Sequence, residues 1–316
     1  MSEIKIVNKE YSGWKNCVSI SNGTVELIVT TDVGPRIIYY GFTGGPNHMK
    51  IFDSQAGVTG GNEWMSFGGH RLWHSPEAFP RTYEAENTSC RWTAKKDGIV
   101  AINEPNELSR MEKEIEITLD PEGTKVKIEH RITNRNAWDV KFAAWALTVV
   151  APGGRLIIPQ PVSGPLYLPN RNISFWTYTR LNDPRVTWLD RYIFLDQDID
   201  AGYKDEPENR RFNYVPFKIG MHVPDGWAAY VNHGQMFAKY FTCDQKDEYP
   251  DFGHCSFETY TNKEMLEIET LSPLHNTEPG ETVTHTEQWA LFDDIQKPQT
   301  ENEADEFVAQ TVRSLL

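Results

Sequence analysis

Fifteen residues, Phe67-Gly68-Gly69-His70-Arg71-Leu72-Trp73-His74-Ser75-Pro76-Glu77 closed by Pro80-Arg81, gather two imidazoles, a carboxylate, two guanidiniums and an indole. Histidine is the one side chain whose unperturbed pKa lies in the physiological window, and the guanidinium fork matches hydroxyl and carboxylate oxygens, so this composition suits proton transfer or polar-ligand binding. The Gly-Gly pair and the Ser75-Pro76 and Phe79-Pro80 steps read as a strand end or loop. On a helix, His70 and His74 would share a face and ligate a metal beside Glu77, but these flanks argue against a helix, and no metal or cofactor is expected. An anion or polyol pocket is the better reading, and a buried structural hydrogen-bond network is its rival.

A second constellation is Leu266-Glu267-Ile268-Glu269-Thr270-Leu271-Ser272-Pro273. Strand alternation places Leu266 and Ile268 on one face and Glu267 and Glu269 on the other, where one carboxylate could serve as a general base or both could simply face solvent. Arg36, beside the apolar run Val33 to Phe42, needs a partner if buried. Weaker signals are Asn134-Arg135-Asn136 leading to Trp145, and Trp227 to Phe241 with Tyr230, His233 and Lys239; of these, Trp145 and Lys239 join the binding candidates.

The elements that must hold these groups are mostly strands. Thr24 to Thr30, Val33 to Phe42, Ile115 to Leu119 turning through Pro121-Glu122-Gly123 into Val126-Ile128, Leu266 to Glu269 and Thr282 to Leu291 alternate at period two between turn residues. Only Ala304, Phe307, Val308, Val312 and Leu315 recur at helical spacing, predicting a C-terminal helix that docks on a sheet. The stretch Asp196 to Asn213 reads as an exposed loop. One large all-β domain, a sandwich or barrel spanning 1–316, is the expected architecture.

With 39% hydrophobic residues and ten Trp among 316 residues, a core is assured, and the net charge of -14 argues against a nucleic-acid partner. No apolar run is long enough to span a membrane and no signal peptide is evident, so a cytoplasmic protein is expected. Cys17, Cys90, Cys243 and Cys255 match no metal or redox spacing and read as free thiols. There is no phosphate-binding Gly loop, GxSxG elbow or dinucleotide fingerprint.

In order, these pieces resemble the galactose mutarotase-like superfamily, the β-supersandwich of aldose 1-epimerases and related carbohydrate-active domains, and within it the uncharacterised DUF4380 branch. The carboxy-terminal run from Leu266 through Pro279-Gly280-Glu281 to Trp289 is similar to the epimerase segment carrying the catalytic glutamate. The Phe67-Gly68-Gly69 turn with Trp73 and Pro76 is similar to the segment lining the sugar site, and Gly34-Pro35-Arg36-Ile37 fits an early strand pair. The resemblance implies Glu269 as general base, but Trp145 stands where mutarotases place a histidine acid. Either His70 or His74 supplies the acid, or the protein does not interconvert anomers.

The leading expectation is therefore an isomerase of the aldose 1-epimerase type acting on a small sugar. Trp64 or Trp73 would stack on the sugar, and Arg36, Arg71, Glu77 and Arg81 would bind its hydroxyls or an anionic substituent. The three arginines favour an acidic or phosphorylated sugar. A non-catalytic carbohydrate-binding or sensing domain is one alternative, and a polysaccharide lyase or hydrolase-like enzyme is another.

Overall fold

Alternation along the chain is converted into two antiparallel sheets in a computed structural model that describes residues 3–164, 166–197 and 216–315. The first sheet runs β1 (Lys5–Tyr11), β2 (Trp14–Ser21), β3 (Val25–Thr30), β4 (Arg36–Phe42), β5 (Gly69–Ser75), β10 (Val140–Val150), β19 (Leu266–Leu271), β18 (Phe257–Thr261), β15 (Phe217–Met221) and β12 (Ile173–Phe175), with β20 (His275–Thr277) on the end of β10. The second runs β13 (Val186–Trp188), β14 (Tyr192–Asp196), β11 (Arg155–Pro159), β16 (Trp227–Asn232), β17 (Gln235–Phe241), β21 (Thr282–Phe292), β9 (Val126–Asn134), β8 (Met111–Leu119), β7 (Gly98–Ile102) and β6 (Arg91–Lys95).

Residues such as Leu72, Ala144 and Ile268 from the first sheet meet Ile117, Ile128, Phe237 and Trp289 from the second in the main core. The predicted hairpin forms, Leu119 pairing with Val126 across its turn. The C-terminal helix also forms over Glu301–Arg313, opened by a Thr300/Glu303 capping box that satisfies two otherwise orphaned donors. Its Ala304, Val308 and Val312 cover the outer face of the second sheet at Trp227, Ala229 and Ala238. Among the described residues no helix is long and apolar enough to cross a membrane. The four cysteines are free thiols. From residue 198 onward, the expected Asp196 to Asn213 loop lies outside the described residues.

The histidine-rich segment corrects one expectation. Gly69–Ser75 is a regular, fully buried strand rather than a loop, paired with β10 from Gly69↔Val149 to Ser75↔Ala143. The bend before it runs through Phe67, Gly68 and Gly69, at φ +54°, +86° and +70°; a Cβ at Gly68 would lie 2.0 Å from the Lys50 carbonyl oxygen, so only glycine allows that approach. Among the described residues no helix packs on the outer face of the first sheet, and this is where polar side chains of β5, β15, β18 and β19 gather beside the apolar ones of β10.

Candidate functional site

Register dictates which side chains share that outer face. Leu147 pairs with Arg71 on one side and Glu269 on the other, Glu269 pairs with Glu258, and Glu267 pairs with Tyr260, itself opposite Lys218. Since side chains alternate along each strand, Arg71, Trp73, Trp145, Leu147, Glu267, Glu269, Glu258 and Lys218 project together. Trp73, Trp145, Leu147 and Leu271 form an apolar cluster there, joined by Trp64 and Tyr83. All of these but Leu271 wall a cavity of about 420 Å³, to which Arg71, Trp176, Lys218 and Glu267 also contribute.

At its base is a Glu–Lys–Glu unit. The Lys218 ammonium reaches Glu258 Oε2 at 2.8 Å and Glu269 Oε2 at 3.2 Å and lies 4.6 Å from the ring centres of both Trp145 and Trp176. Trp145 Nε1 donates to the same Glu269 oxygen at 2.9 Å. Glu269 is fully buried and Glu258 is 1% exposed. Burial opposes the charge on Lys218, but Glu258, Glu269 and Glu77 outweigh it and raise its pKa well above the ordinary lysine value. Burial raises both carboxyls, and the lysine only partly offsets it: Glu258 rises far, with Glu269 and Asp251 adding like charge, and Glu269 rises less, towards neutrality. Burial thus favours the protonated form of carboxyls that one ammonium only partly compensates, which places a transferable proton beside a cation in one site. Gly220, paired with Glu258 in β15, leaves the room: a Cβ there would stand 2.7 Å from Cys255 Sγ and 3.3 Å from the Trp176 ring.

The wall also carries unsatisfied hydrogen-bonding atoms. Oε1 of Glu258 and Oε1 of Glu269 receive no hydrogen bond, and Nε of Arg71, Nε1 of Trp64 and Nε1 of Trp73 donate none. Arg71 is otherwise spent, with Nη1 on Glu267 at 3.0 Å and its guanidinium 4.4 Å from the Trp73 ring centre. Buried polar atoms are normally paired, so acceptors on one side and donors on the other mark a surface shaped for a polar ligand. A larger open groove of about 820 Å³ around Pro159, Arg191 and His222 lacks this character; Arg191, its most central cation, is held by Glu301 and Asp305.

The fold of two long antiparallel sheets is similar to several solved structures. A candidate aldose 1-epimerase from Klebsiella pneumoniae superposes with a TM-score of 0.61 at 11% identity, covering 98% of this chain and 87% of that one. A galactose mutarotase-like protein from Lactobacillus casei gives 0.55 at 10% identity, covering 88% and 100%. The chain has the galactose mutarotase-like fold. A galactose mutarotase related enzyme from Lactobacillus acidophilus shares this mutarotase-like fold at a TM-score of 0.55 and 9% identity, covering 90% and 100%. No protein-family model and no curated protein matches the sequence, so nothing carries the finer placement in the DUF4380 branch.

On this mutarotase-like frame, Trp64, Arg71, Trp73, Glu77 and Trp145 line the cavity, and Glu269 lies directly behind Trp145 and Lys218. His70 and His74 do not approach it. Both sit with Leu72 on the inner face of β5, the opposite side from Arg71 and Trp73. His70 Nδ1 meets Thr148 Oγ1 at 2.9 Å and Nε2 meets His130 Nε2 at 2.7 Å, inside the sandwich. His74 is buried with neither ring nitrogen hydrogen-bonded, and burial together with Lys113 and Arg81 pushes its pKa well down.

Lys239 is also interior, its ammonium 2.7 Å from Glu287 Oε1. Arg36 is buried against the Ser66 and Gly68 carbonyls and Glu86, and Arg81 donates to the Pro76 carbonyl; neither lines the cavity. His70, His130 and Glu287 bring potential metal ligands within 4.8 Å of one another, but each is already engaged: the imidazoles with each other, the carboxylate with Lys239, Thr270 and Trp289.

Because Arg36 answers a buried carboxylate and two carbonyls, Arg36→Met is expected to lower stability by about 3–5 kcal/mol. Denaturant unfolding measures this, and a loss below about 1 kcal/mol contradicts it.

Lys218, Glu258, Trp176 and Tyr83 were not singled out from the sequence. Lys218 in Phe217-Lys218-Ile219 and Glu258 in Phe257-Glu258-Thr259 carry the same signal that marked Glu267 and Glu269, a charge inside apolar alternation, but each stands alone.

Proposed function

We propose that this protein is a carbohydrate-active enzyme of the aldose 1-epimerase type, which binds a sugar in the aromatic cavity with its anomeric centre against the Glu258–Lys218–Glu269 unit. The observation that carries this reading is that unit itself, buried beside indole walls with unbonded oxygens on both carboxyls. Anomerisation needs a base for the anomeric hydroxyl proton and an acid for the ring oxygen, and reclosure of the ring after rotation reverses both transfers. Glu258, which keeps its proton, is the acid. Lys218 takes the hydroxyl proton as it passes one of its own to Glu269, so Glu258 fills the acid role expected of a histidine and Glu269 is the base acting through the lysine.

Of the three arginines that suggested an acidic sugar, only Arg71 lines the cavity, and it is paired with Glu267. Among the described residues both cations of the cavity are already answered, Arg71 by Glu267 and Lys218 by Glu258 and Glu269, which favours an uncharged sugar.

The test is proton NMR magnetisation exchange between α and β anomers, using catalytic protein and a panel of neutral, phosphorylated and uronic sugars. Exchange of a neutral sugar is expected to accelerate, to rise with pH as Glu269 loses its proton, and to fall about 10²–10⁴-fold in Glu269→Gln. Full exchange in that variant sinks the reading. A second reading, a non-catalytic carbohydrate-binding or sensing domain, is favoured by one contact: the Trp145 indole occupies Glu269 Oε2. Sugar binding without accelerated exchange selects it.

A further inference from the structure

The cavity does not end at the first chamber. A second, of about 370 Å³, is walled by Ala78, Phe79, Asp251 and Glu258, and the two chambers share Glu77, Tyr83, Trp145 and Trp176. Phe79 is 85% exposed, with its ring centred 6.1 Å from that of Tyr83, and Pro76 and Pro80 on either side restrict its backbone. A lone exposed phenyl needs no explanation. This one, however, walls the chamber that also holds Glu258, a carboxyl 1% exposed whose Oε1 receives no hydrogen bond. An aromatic face with a buried acceptor alongside is the pairing that holds a pyranose, whose C–H face is apolar and whose rim carries hydroxyl donors.

Resting on the carbohydrate reading above, we infer that the second chamber is a second sugar subsite and that the ligand is an oligosaccharide end. Its reducing ring occupies the chamber of Arg71 and Trp64 with its free anomeric centre against Lys218, its next ring stacks on Phe79, and the linkage between them passes the shared Glu77, Tyr83, Trp145 and Trp176. Charge specifies the second unit. Glu77 and Asp251 present carboxyls to that chamber beside the protonated Glu258, and among the described residues no cation lines it, so the second unit is a neutral or amino sugar and not a uronate or a phosphorylated or sulfated ring.

Isothermal titration calorimetry on the wild-type chain and on Phe79→Ala tests this, with maltose, cellobiose, lactose and diacetylchitobiose set against glucose, galactose and N-acetylglucosamine. At least one disaccharide is expected to bind about tenfold more tightly than its own monosaccharide, and Phe79→Ala is expected to narrow that ratio to about twofold. Equal affinities for a monosaccharide and its disaccharides overturn the second subsite while leaving the sugar-binding reading intact. An unchanged ratio in Phe79→Ala, or tighter binding of a disaccharide whose second unit is glucuronate, also overturns it. Failure of every saccharide to bind overturns this inference together with the reading beneath it.

Discussion

Lys218→Met is expected to cost about 3–5 kcal/mol of stability at pH 8 and to reduce anomer exchange about 10²–10⁴-fold. The Lys218 ammonium is the cation bonded to the two carboxyls of Glu258 and Glu269, all three nearly or fully buried. Removing one partner of a buried ion group leaves the others uncompensated, which costs more than the group contributed when whole. The sign with pH follows from the carboxyls. Both are raised above the ordinary glutamate value, so they bind protons more tightly folded than unfolded, and the stability they support is present at low pH and lost as pH rises through their folded values. Without the ammonium they rise further, and the deficit of the variant should be largest near pH 8 and smallest near pH 5.

Adding Glu258→Gln and Glu269→Gln to Lys218→Met should return most of the stability, because no charge is then stranded, but none of the exchange. Urea unfolding across that pH range, beside NMR exchange, reads both. A stable, active Lys218→Met refutes the assigned role.

That lysine also marks where the sequence stops being legible. The architecture could be read where strands are covered on one side only: Met111–Leu119 and Val126–Asn134 alternate buried residues with more open ones along their whole length, and the C-terminal helix repeats its apolar positions at helical spacing. The strand carrying the histidines is covered on both sides, all seven residues of Gly69–Ser75 being buried. Alternation there still separates His70 and His74 from Arg71 and Trp73, but with no polar face it gives no indication of which set meets the opposite sheet. Two members of the Glu–Lys–Glu unit were invisible for a different reason. Lys218 and Glu258 stand forty positions apart in short strands, and only the β15–β18 pairing, Gly220 opposite Glu258, joins them. Lys239 resembled a rim residue because its neutralising partner, Glu287, is forty-eight residues further on and reaches it only through the β17–β21 ladder.

The interior histidines predict steep acid lability. His130 Nδ1 meets the His285 carbonyl oxygen at 3.0 Å and so must donate, which leaves its Nε2 to accept from His70 Nε2 and leaves His70 Nδ1 to accept from Thr148. Thr270 donates to Glu287 and therefore accepts from His285 Nε2. This chain of bonds is complete with all three imidazoles neutral. Burial drives His130 and His285 down to about 3, opposed for His130 by the His285 carbonyl and for His285 by Glu287, while His70 falls well below its ordinary value.

Unfolded histidines titrate near 6.5, so between about 6.5 and 3 the unfolded chain binds more protons, and stability that is complete above pH 6.5 is lost as pH falls towards the folded values. Two pH units below 6.5, each independently titrating histidine accounts for roughly 2–3 kcal/mol. The denaturant midpoint should therefore fall sharply between pH 6.5 and 4.5. In His130→Gln this acid limb should flatten, even though the variant starts from lower stability at pH 7. Nitrogen-15 NMR of the rings supplies an independent reading, with His130 protonated at Nδ1 alone and unchanged down to pH 5. Imidazole resonances that titrate near 6.5 in the folded protein would show that the network carries charge, and the predicted acid limb would then have another origin.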